Sequence, residues 1–109
     1  HLMREISPRA LADRLAAGTP TYLVDVREAW EHRIAALPGS QLVPLGEIGS
    51  RVATLTPPPG ALLVTYCHHG MRSLSAAAVL ERAGFDGVVS LAGGIDAWSL
   101  QIDPAVPRY

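Results

Sequence analysis

Residues 61–73 read Ala-Leu-Leu-Val-Thr-Tyr-Cys-His-His-Gly-Met-Arg-Ser. Ala61 to Tyr66 is the most apolar stretch of strand length in the chain, which suits a central place in a sheet rather than an edge. The character changes at Cys67. Two histidines, a glycine and an arginine follow within five positions, and a helix from Ser73 through Ala83, stopped by Gly84, is expected next. Strand, short polar loop and helix are the repeating parts of a parallel α/β sheet.

The same alternation recurs on both sides. Upstream, Ser7 supplies an N-cap, Pro8 a first-turn proline, Leu11 and Leu15 apolar positions, and Gly18 a stop, so a helix is expected there. Thr21 to Val26 reads as a strand buried on both faces, because apolar and polar residues do not alternate along it. Glu28 to Ile34 suits a short helix, Pro38-Gly39-Ser40 a turn, Gln41 to Leu45 a brief strand and Gly46 to Leu55 a helix. Thr56-Pro57-Pro58-Pro59-Gly60 cannot continue a helix and makes a stiff exposed connector, with the apolar pattern resuming directly after it. Downstream, Val88 to Leu91 is the next strand, Gly93-Gly94 a turn, and Ile95 to Leu100 a short helix carrying Trp98. The expectation is one α/β domain over residues 3–109, a mostly parallel sheet with helices on both faces. His1 and Leu2, ahead of Met3, are read as remnants of expression.

Composition narrows the chemistry. With 109 residues, 49% hydrophobic and 17% charged, the chain can bury one core and is too apolar for disorder. A net charge of -1 without any like-charge block argues against a nucleic-acid partner. No run approaches the roughly 18 apolar residues of a membrane span, and no signal-peptide pattern is visible, so no membrane partner and a cytoplasmic location are expected. The single cysteine excludes an internal disulfide, a four-Cys zinc site and a two-Cys redox pair. Lysine is absent, which removes Schiff-base chemistry and Walker-type phosphate loops.

Cys67 is the informative residue. In open parallel sheets ligands bind at the carboxyl ends of strands, and a following helix N-terminus offers unpaired N–H groups with partial positive charge. A thiol is a weak nucleophile until such an environment favours its anion. The amides of His68 to Ser73 are expected to wrap the sulfur, with Gly70 allowing a turn of positive φ and Arg72 adding a fixed positive charge. A lone cysteine after an apolar strand is more often inert packing, but packing does not call for this run of polar and turn-forming neighbours. His68 and His69 are read as lining the mouth of the site, general base or anion ligand being the alternative. Asp25 and Arg27, at the end of another strand, either flank the site or form a structural ion pair. Trp30 and Trp98 are read as packing residues rather than an apolar rim for an acceptor.

The segment Cys67-His68-His69-Gly70-Met71-Arg72-Ser73 after Leu63-Val64-Thr65-Tyr66 resembles the active-site loop of rhodanese-domain sulfurtransferases. Asp25-Val26-Arg27-Glu28 with Trp30-Glu31, Pro38-Gly39-Ser40 with Val43-Pro44-Leu45, and Gly93-Gly94 with Trp98 resemble further motifs of that family in the same order. The chain departs from it at Ala35-Ala36-Leu37, where the family usually carries Gly-His-Ile.

The resemblance implies a rhodanese-like sheet of about five strands and a sulfurtransferase that needs no cofactor or metal. Cys67 would carry a persulfide, and His68, His69, Gly70, Met71, Arg72 and Ser73 would bind a small anionic sulfur donor such as thiosulfate. Cyanide, a thiol or a sulfur-carrier protein would be the acceptor. Residues 96–109 resemble the endings of rhodanese domains fused to sulfur-carrier adenylyltransferases, so a protein-to-protein sulfur relay stands as the alternative. A non-catalytic interaction domain and a cysteine-dependent phosphatase or arsenate reductase are further readings. Cysteine phosphatases place one residue more between cysteine and arginine than the four between Cys67 and Arg72, which favours the smaller sulfane sulfur.

Overall fold

Strand register decides which loops meet. The computed structural model describes residues 4–109; the expected start at Met3 and the reading of His1 and Leu2 lie outside the described residues. The strands are β1 (Arg4–Ile6), β2 (Thr21–Asp25), β3 (Gln41–Leu42), β4 (Leu62–Tyr66) and β5 (Val89–Leu91). The helices are α1 (Pro8–Ala16), α2 (Ala29–Ile34), α3 (Met71–Arg82) and α4 (Gly94–Gln101). The sheet order is β1-β5-β4-β2-β3, and all pairs are parallel. The α/β class and the central place of the Ala61–Tyr66 segment are as the sequence implies.

Alternation along the strands sends side chains to two cores. Leu63 and Cys67 on β4 and its extension, with Val24 and Val26, pack against Ala76, Ala77 and Leu80 of α3. Leu23, Val64, Tyr66, Val89 and Leu91 pack on the other side with Leu11 of α1 and Ile95 and Trp98 of α4. Fully burying a leucine such as Leu80 stabilises the fold by about 1.5–3 kcal/mol. Trp98 is a core residue, whereas Trp30 is 54% exposed.

Several elements differ from their expected form. β1 has no counterpart in the sequence reading: it is three residues long, Arg4 and Glu5 are exposed, and such an edge strand carries no apolar run to reveal it. Residues 46–55 are not an α-helix but two 3-10 turns, Leu45–Glu47 and Val52–Thr54. Gly46 and Gly49 weaken a helix there, and the Ser50 and Thr54 hydroxyls donate to the carbonyls of Glu47 and Arg51. Helix α3 begins at Met71, two residues before the expected Ser73, because Gly70 at φ 109 is its N-cap. On α1, Leu11 is buried but Leu15 is 39% exposed, so the apolar face is narrower than expected. Ser7 does cap that helix, its hydroxyl accepting from the Ala10 amide.

Candidate active site

Asp25 pairs with Tyr66 in the β2–β4 register, so the segments that follow, Val26-Arg27 and Cys67-His68, leave the same carboxyl edge side by side. This edge is where an open parallel sheet places its ligands. The first turn of α4 closes over it: Ile95 N donates to Cys67 O at 2.8 Å and Asp96 N to His68 O at 3.1 Å. The approach requires glycine at position 94, where φ is +63° and a Cβ would fall 2.5 Å from Cys67 O and 2.4 Å from His68 O. The Gly93-Gly94 pair therefore seats α4 on the cysteine loop as well as turning the chain.

Cys67 Sγ lies in the row of β4 side chains that faces α3 and is 1% exposed. It accepts from Gly70 N at 3.1 Å and Ser73 N at 3.4 Å, and the thiol donates to Ser73 Oγ at 3.4 Å. The cradle is smaller than a continuous wrap of six amides, because Gly70 reverses the chain and α3 starts immediately after it. Ser73 is itself held: its hydroxyl donates to Gly70 O, it shares a 2.6 Å hydrogen bond with Ser90 Oγ, and its carbonyl accepts from Thr65 Oγ1 at 2.8 Å. Thr65, Ser73 and Ser90 are fully buried. This hydroxyl layer under the sulfur was not visible in the sequence, since Ser90 comes from β5.

The remaining loop residues do not all point at the sulfur. Met71 is 75% exposed. His69 is exposed, with Nε2 3.9 Å from Asp96 Oδ2. His68 is stacked between His69, at 3.8 Å between ring centroids, and Tyr109, at 3.9 Å. Its Nε2 is buried and has no hydrogen-bond partner among the described residues. Desolvation, reinforced by His69, pushes the His68 imidazole below its usual value and so toward the neutral form.

Arg72 is paired rather than free. Its Nη1 and Nη2 donate to Glu31 Oε1 and Oε2 at 2.6 and 2.9 Å, a bidentate fork. Arg72 is the fixed positive charge expected beside the loop, and it is shared with Glu31. The Arg72 side chain is still 36% exposed, and its guanidinium carries N–H groups beyond the two that bind Glu31. Glu31, 3% exposed, also accepts from Glu28 N and from Tyr109 OH. The hydrogen bonds from Arg72 hold its carboxyl down at about 2 against the opposing effect of burial.

Asp25 and Arg27 are both wholly buried, so they form a structural ion pair and do not line an open mouth. Asp25 Oδ1 accepts from Arg27 N and Nε, and Oδ2 from Arg27 Nη2 and, at 2.7 Å, pairs with His32 Nδ1. Burial alone would lower the Arg27 pKa, but its hydrogen bonds to Asp25 and Tyr109 raise it. Arg27 Nη1 donates to Tyr109 OH at 2.8 Å. Tyr109 thereby joins Asp25–Arg27 to Glu31–Arg72. Glu31 had a local signal, the Glu28-x-x-Glu31 spacing of a helix N-terminus; Tyr109 had none. Of groups able to hold a metal, His68, His69 and Asp96 bring one ligand atom each within 4.8 Å of one another.

Residues 7–101 match the family model of the rhodanese-like domain. The chain is 39% identical over 104 residues to the probable adenylyltransferase/sulfurtransferase MoeZ of Mycobacterium tuberculosis, covering 95% of this chain and 26% of that protein. It therefore spans about a quarter of the length of that relative. Other relatives are of its own size: a sulfurtransferase of Allochromatium vinosum is 34% identical, with 90% of each chain covered. Among solved structures, the human single-domain sulfurtransferase TSTD1 superposes with a TM-score of 0.78 at 25% identity, over 92% of this chain and 98% of that one. A family match over most of its length, relatives that are named sulfurtransferases, and a fold that superposes on a solved single-domain sulfurtransferase together show that the chain belongs to the rhodanese-like domain family of sulfurtransferases.

Proposed function

We propose that Cys67 carries sulfane sulfur from a small anionic donor, thiosulfate being the representative, to a thiophilic acceptor. The Cys67 thiolate attacks the outer sulfur of thiosulfate. A new sulfur–sulfur bond forms as the old one breaks, and sulfite leaves with the bonding pair. The acceptor, a thiol or cyanide, then takes the outer sulfur and returns Cys67 to the thiolate. The observation that carries this reading is the convergence of the Gly70 and Ser73 amides on Sγ at the carboxyl edge of the central strand. Preorganised donors of this kind stabilise charge where it develops, at no cost of reorganisation. The exposed part of Arg72 supplies further donors for the anionic end of the substrate.

The test is intact mass after thiosulfate treatment. A gain of about 32 Da, one sulfur held covalently, should appear on the wild-type chain, vanish with a thiol, and be absent from Cys67→Ala. A Cys67→Ala protein that still turns over thiosulfate and cyanide would exclude the covalent route.

A sulfur-carrier protein as acceptor is the second reading. It is favoured by the 39% identity to a relative named as both adenylyltransferase and sulfurtransferase, and it suits the exposure of Met71 at the loop and Trp30 on α2. Transfer of labelled sulfur from the loaded Cys67 to a carrier protein in place of cyanide distinguishes the two.

A further inference from the structure

We propose that His68, His69 and Asp96 form a site for a divalent transition-metal cation of the zinc class, at the junction of the cysteine loop and α4. Two imidazoles and one carboxylate are a donor set that suits borderline cations of this class. Their ligand atoms lie within 4.8 Å of one another, and donors on a tetrahedral zinc ion stand about 3.3 Å apart. The contraction needed falls to His69, whose side chain is 65% exposed and turns out of its stack on His68 to reach the ion.

The scaffold for the site already exists. The Asp96 amide donates to the His68 carbonyl at 3.1 Å and the neighbouring Ile95 amide to Cys67 O, which fixes α4 against the loop. Tyr109, stacked on the far face of the His68 ring, fixes that imidazole. Arg108 makes its shorter bond, 2.9 Å, to Asp96 Oδ1, while Oδ2, the oxygen nearer His69 Nε2, receives only a 3.4 Å contact. Oδ2 is thus the less tightly held carboxylate oxygen and the one that would turn to a cation. His68 is the second indication. Among the described residues its buried Nε2 has no hydrogen-bond partner, so a ring nitrogen of the kind that ligates zinc is left without the bond that buried polar atoms ordinarily make. The site does not rest on the sulfur-transfer reading, because none of its ligands is Cys67.

Calorimetric titration of Zn²⁺ into the wild-type and Cys67→Ser proteins, with no sulfur donor present, tests the proposal. One Zn²⁺ should bind per chain in both proteins. His69→Ala and Asp96→Asn, each at a partly or largely exposed position, should weaken binding by at least about tenfold, the lower end of what loss of a mere outer-shell partner costs; His32→Ala should leave it unchanged. In parallel, ring nitrogen resonances of His68 and His69 should shift with Zn²⁺ and those of His32 should not. No one-to-one binding, binding lost with the Cys67 thiol, or binding that survives His69→Ala and Asp96→Asn would each overturn it. Sulfur loading measured by mass remains a separate readout, so failure here and failure of the proposed reaction are distinguishable.

Discussion

The hydroxyl of Tyr109 donates to Glu31 Oε2 at 2.7 Å while it accepts from Arg27 Nη1 at 2.8 Å. One phenol on the segment after α4 thus ties a buried ion pair under the sheet edge to the ion pair that orients Arg72. Its own ionisation is pushed up to about 12, by burial first and by the Glu31 carboxylate, with the Arg27 hydrogen bond opposing. It is therefore a neutral bridge at pH 7.

Tyr109→Phe should keep the ring stack on His68 and remove both hydrogen bonds. The Arg27 and Glu31 groups that lose a partner are largely desolvated, so a loss of about 1–3 kcal/mol is expected in urea unfolding. Unchanged stability would show that the bridge contributes nothing net.

Stability should fall with acid in a way that traces to Glu31. Its folded value of about 2 lies below the ordinary 4.5, so its contribution is complete above the ordinary value and is lost as pH falls through the folded one. The stability gap between wild type and Glu31→Gln should be widest at neutral pH and close between about pH 4.5 and 2. A gap that does not depend on pH would remove the carboxylate from this role.

Arg72→Ala should raise KM for thiosulfate and also destabilise the fold, since it leaves the Glu31 carboxylate, 3% exposed, without its cation. Adding Glu31→Gln should restore much of the stability without restoring KM. Steady-state kinetics and thermal melts on the single and double variants separate binding from structure. Recovery of KM in the double variant would mean that Arg72 acts only through Glu31.

Gly94→Ala should cost more than Gly18→Ala although both glycines have positive φ. At Gly18 nothing lies near the new Cβ, so only backbone strain of about 1 kcal/mol applies. At Gly94 the Cβ meets two carbonyls of the cysteine loop, and a loss of at least about 2 kcal/mol is expected. Equal losses in chemical denaturation would mean that α4 can shift off the loop freely.

The class of fold and the position of the central thiol are legible in short stretches of the chain. The apolar run Leu62–Tyr66, the Ser7 cap and the glycine stops are short-range signals, and β4 and α1 follow from them because burial and capping act over a few residues. The weaker local cases failed where local signals conflict: glycines and hydroxyls broke the helix expected at 46–55, and Gly70 moved the start of α3 by two residues. The surroundings of the site follow from long-range contacts. Parallel register set Asp25 beside Tyr66, the turn at Gly93-Gly94 laid α4 on the loop, and Glu31 and Tyr109 reached Arg72 and Arg27 from elements far apart in the chain. Charges buried together must find partners wherever the fold brings them, since an unpaired ion in the interior costs more than local preference can repay. A chain can state its strands and caps locally, but it chooses its ion-pair partners only when the sheet closes.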